Sequence, residues 1–235
     1  MSRYANWIID IPQDEERNKY LIPTIRGVLA MCRDNSKRIQ QAGCSALSTF
    51  LEEDGRLLLP HLQEIVATLA YCFDKYQRKN MLLLYDAMGT LADGVRRHLD
   101  TPEYAQLLVP RLMRQWNSYS DESPDLEPLM ECLSSAVTAM PNSFASVLPE
   151  FWNRCLQIIS VCVTADVAHR ADPANNPVAE NGLLIAAMDL ISGICQGLRQ
   201  ACEPLLVNSN PPLLPMLLNA MMVCAFRVFS CIIII

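Results

Sequence analysis

Within NMLLLYDAMGTLAD, residues 80–93, two carboxylates, Asp86 and Asp93, are set among Leu82, Leu83, Leu84, Met88 and Leu91. Paired carboxylates can serve as general acid and base. Seven residues of helix would separate these two by about 10 Å, the wide end of the spacing used in glycoside hydrolysis, and the neighbouring sequence supplies no pocket. The three histidines, His61, His98 and His169, stand near no Ser or Cys in a nucleophile arrangement, and the chain has no Gly-rich phosphate loop. The residue types therefore nominate no catalytic group, and the chain reads as a binding protein rather than an enzyme.

Metal and redox chemistry fare no better. The ten cysteines form no CxxC pair and have no histidine at ligand spacing, so no metal site and no cofactor are expected. Cys155 and Cys162, like Cys195 and Cys202, are seven apart. On a continuous helix that places them about 10 Å from each other, beyond disulfide reach. Free, mostly buried thiols in a reducing compartment are the expectation.

Binding chemistry is better represented. Asp86, Thr90 and Asp93 share one stripe of a helix, with Gly89 beside them and Leu83, Leu84, Ala87, Met88 and Leu91 covering the rest. Glu131 with Ser134 and Ser135, and Asp189 with Ser192 and Gly193, repeat the pattern of a carboxylate followed one turn later by small residues. Small residues would let a ligand backbone approach, and carboxylates would favour Lys and Arg on it. Glu52, Glu53 and Asp54 extend the series, although Glu53 and Asp54 fit a solvated helix end equally well. Any surface helix carries charge on its wet side; three such stripes in register turn the reading toward an acidic wall. Lys75, Arg78 and Lys79, and Arg96 with Arg97, read as helix ends that solvate and compensate dipoles. Trp7, Trp116 and Trp152 read as core or inter-repeat packing.

Helices must position these stripes. Helical periodicity recurs along the 235 residues, which are 51% hydrophobic, 19% charged and carry a net charge of −6. That composition gives a sizeable core, speaks against direct nucleic-acid binding and leaves basic partners open. The N-terminal residues lack the basic start and apolar run of a secretory signal, and no uncharged apolar run reaches the roughly 18 residues of a spanning helix. Apolar-Pro steps at Ile22-Pro23, Leu59-Pro60, Val109-Pro110, Leu148-Pro149 and Leu214-Pro215 are expected to open successive units. Most spacings lie near 40 residues, the period of HEAT and armadillo repeats. The expectation is an all-α solenoid over 1–235, a right-handed superhelix of about five antiparallel helix pairs with the first and last incomplete. Residues 164–181 are expected to form a polar loop insertion, and 221–235 an aberrant C-terminus of a longer array.

The segments YCFDKYQRKNMLLLYDAMGTLAD (71–93), PEYAQLLVPRLMRQWN (102–117), LEPLMECLSSAVTAM (126–140) and AAMDLISGICQGL (186–198) carry a resemblance. From about Ser2 to about Ala220 the chain resembles the karyopherin-beta, or importin-beta, family of HEAT-repeat nuclear import receptors. The resemblance implies recognition of extended nuclear localisation signals of cargo proteins, basic or hydrophobic and ending in a Pro-Tyr step, along a concave wall of second helices. It implies cargo contacts for Glu52, Asp86, Thr90, Asp93, Glu131 and Asp189, and for Arg3 a place near the Pro-Tyr pocket. It further implies shuttling between cytoplasm and nucleus, with nuclear pore proteins and the Ran GTPase as partners of a full-length receptor, the Ran site falling before this chain begins. No membrane insertion is expected. A HEAT scaffold for complex assembly is the alternative.

Overall fold

A computed structural model of the chain describes residues 2–176 and 181–223, with side chains over 4–176 and 182–218. Every regular element among the described residues is helical. In order these are α1 (Ser2–Ile9), α2 (Asp14–Cys32), α3 (Lys37–Asp54), α4 (Leu62–Lys75), α5 (Arg78–Val95), α6 (Pro102–Ser118), α7 (Leu126–Ala139), α8 (Pro141–Phe144), α9 (Leu148–Ala171), α10 (Asn181–Leu198), α11 (Glu203–Val207) and α12 (Leu213–Val223). Short 3-10 turns cover Gly55–His61, Arg96–Leu99 and Arg199–Cys202. The chain divides into two compact units at Ser118 and Tyr119.

In the first unit the repeat period appears as physical register. Gln41 Nε2 on α3 donates to Asn80 Oδ1 on α5 at 3.1 Å, Ser48 Oγ to Asp86 Oδ2 at 3.2 Å, and Gly55 lies against Gly94. Each pair is 38 or 39 residues apart, so α3 and α5 run parallel with a nearly constant offset. The other layer behaves alike: Tyr76 Oη beyond α4 donates to Cys32 O at the end of α2 at 2.7 Å, and Asp74 on α4 accepts from Arg111 and Arg114 on α6. Leu21, Ile25 and Leu29 of α2, Leu47 and Leu51 of α3 and Ile65 and Leu69 of α4 fill the core. Stacked helix pairs of HEAT type, all α, are the fold.

The second unit is built on α7, α9 and α10. Ser134 Oγ on α7 donates to the Asp189 carbonyl of α10 at 2.7 Å, and Thr138 Oγ1 to that of Gly193 at 3.2 Å, both 55 residues apart. The larger offset comes from α9, which runs for 24 residues. Residues 164–171 are thus helical, and the expected loop over 164–181 shortens: TADVAHRA contains no breaker, Val163 is still buried, and Asn176 Nδ2 closes the helix end by donating to Ala168 O and Asp172 O. Residues 177–180 lie outside the described residues, as does the expected aberrant tail from 224 on; 221–223 continue α12. The stretch Gly182–Val207 has the length and apolarity to cross a bilayer, and 56% of its most apolar 18-residue window is buried inside the protein, where α10 packs on α7 and α9.

Three further expectations shift. Pro149 and Pro215 occupy first turns, but Pro23 and Pro110 sit inside α2 and α6. The acidic first turn of α2, Asp14, Glu15 and Glu16, favours starting the helix well before the proline, and burial of Leu21, Ile25, Val28 and Leu29 offsets the hydrogen bond that Pro23 removes. Trp116 and Trp152 are core residues, whereas Trp7 is 54% exposed and meets Tyr20 edge-on with ring centroids 5.2 Å apart. Finally, α10 ends at Leu198, where Arg199 adopts φ 55°, so the helix does not continue to Cys202, and Cys195 and Cys202 lie close enough to interact electrostatically. Burial pushes the Cys195 thiol up to about 12; both cysteines are free.

Candidate functional site

The acid stripe of α5 is arranged as its periodicity predicts. Asp86 and Asp93 are exposed and Thr90 is half-buried, above Leu84, Ala87, Met88 and Leu91, which are fully buried. Gly89, three residues after Asp86 and four before Asp93, stands beside the acids but is itself buried. On α3, exposed Ser45, half-buried Thr49 and exposed Glu52 form the corresponding stripe. The parallel register lays the two stripes side by side, with Ser48 tying α3 to the Asp86 carboxylate and Glu52 one turn farther along, level with Thr90. Glu52, Asp86, Thr90 and Asp93 therefore share one face of the first unit.

The threonine hydroxyls on this face are committed internally. Thr90 Oγ1 donates to the Asp86 carbonyl at 2.9 Å, and Thr49 Oγ1 to that of Ser45 at 2.9 Å. The outward chemistry of the face is thus carried by carboxylates, each able to accept from Lys or Arg.

In the second unit, Glu131 on α7 is exposed and Asp189 on α10 half-buried. The Ser134–Asp189 bond sets Asp189 against the turn of α7 just beyond Glu131. Here the small residues differ from their expected role. A Cβ on Gly193 would lie 2.7 Å from both Ser134 O and Ser134 Oγ, and one on Gly197 2.8 Å from Val137 O. They let two helices touch rather than a ligand approach. Arg3 belongs to α1, but its side chain lies outside the described residues.

Sequence reasoning missed the polar clamp on this register. Asn80, only 2% exposed, donates to Lys37 O at 3.1 Å and Gln40 Oε1 at 2.6 Å while accepting from Gln41. An Asn inside the first turn of an otherwise apolar helix was its only signal. Asp74 went unnoticed for the same reason: Arg111, and secondarily Arg114, hold its carboxyl below the usual carboxylate range. The Cys72 thiol, buried between these layers, is pushed up to about 11 chiefly by desolvation. Among the described residues no group of His, Cys, Asp or Glu is set to hold a metal ion.

No protein-family model matches the chain. Among curated proteins, transportin-1 of Mus musculus is 41% identical over 210 residues, covering 89% of this chain and 23% of the relative. Importin subunit beta-2 of Schizosaccharomyces pombe is 39% identical over 213 residues, 91% of this chain and 23% of its own length. The chain is a transportin homologue. Transportin of Dictyostelium discoideum, 35% identical over 214 residues, extends the likeness across distant organisms. The chain spans 23% of the length of these curated relatives. For a transportin homologue, stacked HEAT-type pairs are the expected architecture.

Proposed function

We propose that this chain is the signal-binding segment of a nuclear import receptor, and that the carboxylates of its second helices take Lys and Arg side chains of an extended nuclear localisation signal in a cargo protein. The observation that carries the reading is the parallel register of α3 and α5, which gathers Glu52, Asp86, Thr90 and Asp93 on one face. Glu131 and Asp189 provide the equivalent chemistry in the second unit, and Arg3 accompanies them near the Pro-Tyr end of the signal. Names such as transportin and importin subunit beta-2 support the transport role. Binding proceeds without bond making: each carboxylate accepts charge-assisted hydrogen bonds, and several act together because ordering a disordered peptide costs entropy. In the full-length receptor, Ran and nuclear pore proteins act through other repeats, and the receptor shuttles between cytoplasm and nucleus.

The test is fluorescence anisotropy of a labelled basic signal peptide with the native chain and with Asp86→Lys plus Glu131→Lys. Both positions are exposed, so circular dichroism should be unchanged, while loss of the Ser48–Asp86 hydrogen bond should cost about 1 kcal/mol of stability without unfolding the chain. Loss of peptide binding by at least about tenfold, the scale for one charge-assisted contact, is expected. Undiminished binding would leave a HEAT scaffold, holding folded partners by other surfaces, as the better reading.

A further inference from the structure

At the turn-bearing edge of the first unit, the residues joining α2 to α3 and α4 to α5 line a cleft of about 180 Å³. Arg33, Lys37 and Lys75 stand around it with Asp34, Asn35, Gln40, Tyr71 and Gln77. Three cations thus face one carboxylate in a protein whose net charge is −6. That carboxylate is engaged locally, since Asp34 Oδ1 accepts from Ser36 N at 2.6 Å. Among the described residues, none of the three cations is in an ion pair. Lys75 Nζ is held 5.9 Å from the Tyr71 ring centroid, a cation–π contact that positions it without neutralising it.

Two long helices also begin here. Lys37 opens α3 and Gln77 is the N-cap of α5; neither first turn contains an acid and neither N-cap side chain caps its helix. Asn80 locks the two starts together through Lys37 O and Gln40 Oε1, and Gln40 Nε2 is anchored on Asp34 O at 2.7 Å. The positive ends of α3 and α5 are offset by the negative C-terminal ends of α2 and α4, so the charge of the cleft comes from the three side chains, held over a rigid floor.

We propose that this cleft binds a phosphate dianion, either a free phosphate ester or a phosphorylated side chain. A single carboxylate would leave most of the positive charge uncompensated. A tetrahedral dianion offers oxygens to cations arriving from three directions: Arg33 at the end of α2, Lys37 at the start of α3 and Lys75 at the end of α4. The volume holds one such group rather than a folded partner. The site uses none of the carboxylates assigned to signal binding and stands or falls independently of them.

Isothermal titration calorimetry of the whole chain at low salt, with glycerol 3-phosphate and with a phosphoserine-containing peptide as probes, tests the assignment. Saturable binding to the native chain is expected, weakened by about tenfold or more in Lys37→Ala plus Lys75→Ala and unchanged in Lys19→Ala, an exposed lysine on α2. All three lysines are exposed, so the variants should melt like the native chain. Tighter binding of the phosphoserine peptide assigns the site to a phosphorylated protein; tighter binding of glycerol 3-phosphate assigns it to a free phosphate ester. Failure of both probes to bind, or equal weakening by Lys19→Ala and the double variant, overturns the proposal.

Discussion

Asp74 shows how one side chain can join repeats that are distant in sequence. Its carboxylate accepts from Arg111 Nε at 3.0 Å, Arg111 Nη2 at 2.6 Å and Arg114 Nη1 at 2.9 Å, linking α4 to α6. Because these guanidiniums depress its folded-state pKa, its stabilisation is present above the unfolded carboxyl value of about 4 and is lost as pH falls through the lower folded value. The pair is about one-third exposed, and solvent screening keeps it modest. Asp74→Asn should therefore lower Tm by about 2–3 °C at pH 7, the scale of about 1 kcal/mol or less in a chain of this size, and the gap should narrow steadily in melts taken below pH about 4. A gap that persists at low pH would assign the effect to packing instead. Residue types alone pointed to the exposed acids Asp86 and Asp93, because a carboxylate in an apolar run is conspicuous. They did not reveal Asp74, whose meaning depends on an arginine 37 residues away.

At the level of elements, periodicity made the second helices readable and left their boundaries less so. The α5 stripe follows from the 3.6-residue repeat, and its acids fall on the exposed side. Pro23 was misleading because a proline in an acid-started helix need not start it, and α9 was underestimated because polar residues after Val163 remain compatible with helix. The small residues of α7 and α10 carried the subtlest signal. Gly193 and Ser134 look alike whether they face a ligand or a neighbouring helix, and only the 55-residue register distinguishes the two. Gly193→Ala should thus destabilise the chain by about 1–3 kcal/mol through overpacking against Ser134, with the denaturation midpoint falling and peptide affinity unchanged at temperatures where the variant is folded. Weakened affinity without loss of stability would return Gly193 to the ligand side.

For the whole molecule, the repeat near 40 residues was legible because it recurs, and it reappears as the 38–39-residue register of α3 and α5. Trp7 was not, since an aromatic in a short amphipathic helix is buried or exposed according to neighbours that the local pattern does not specify. In the proposed recognition, charge on the second helices selects the ligand. That selection is tested most directly by a charge swap: measure the affinity of a basic signal peptide, and of the same peptide with its Lys and Arg replaced by Glu, for the native chain and for Asp86→Lys plus Glu131→Lys. The native chain should prefer the basic peptide and the reversed chain the acidic one, with both preferences shrinking as added salt screens charges over about 8–10 Å. An unchanged preference for the basic peptide in the reversed chain would contradict the account.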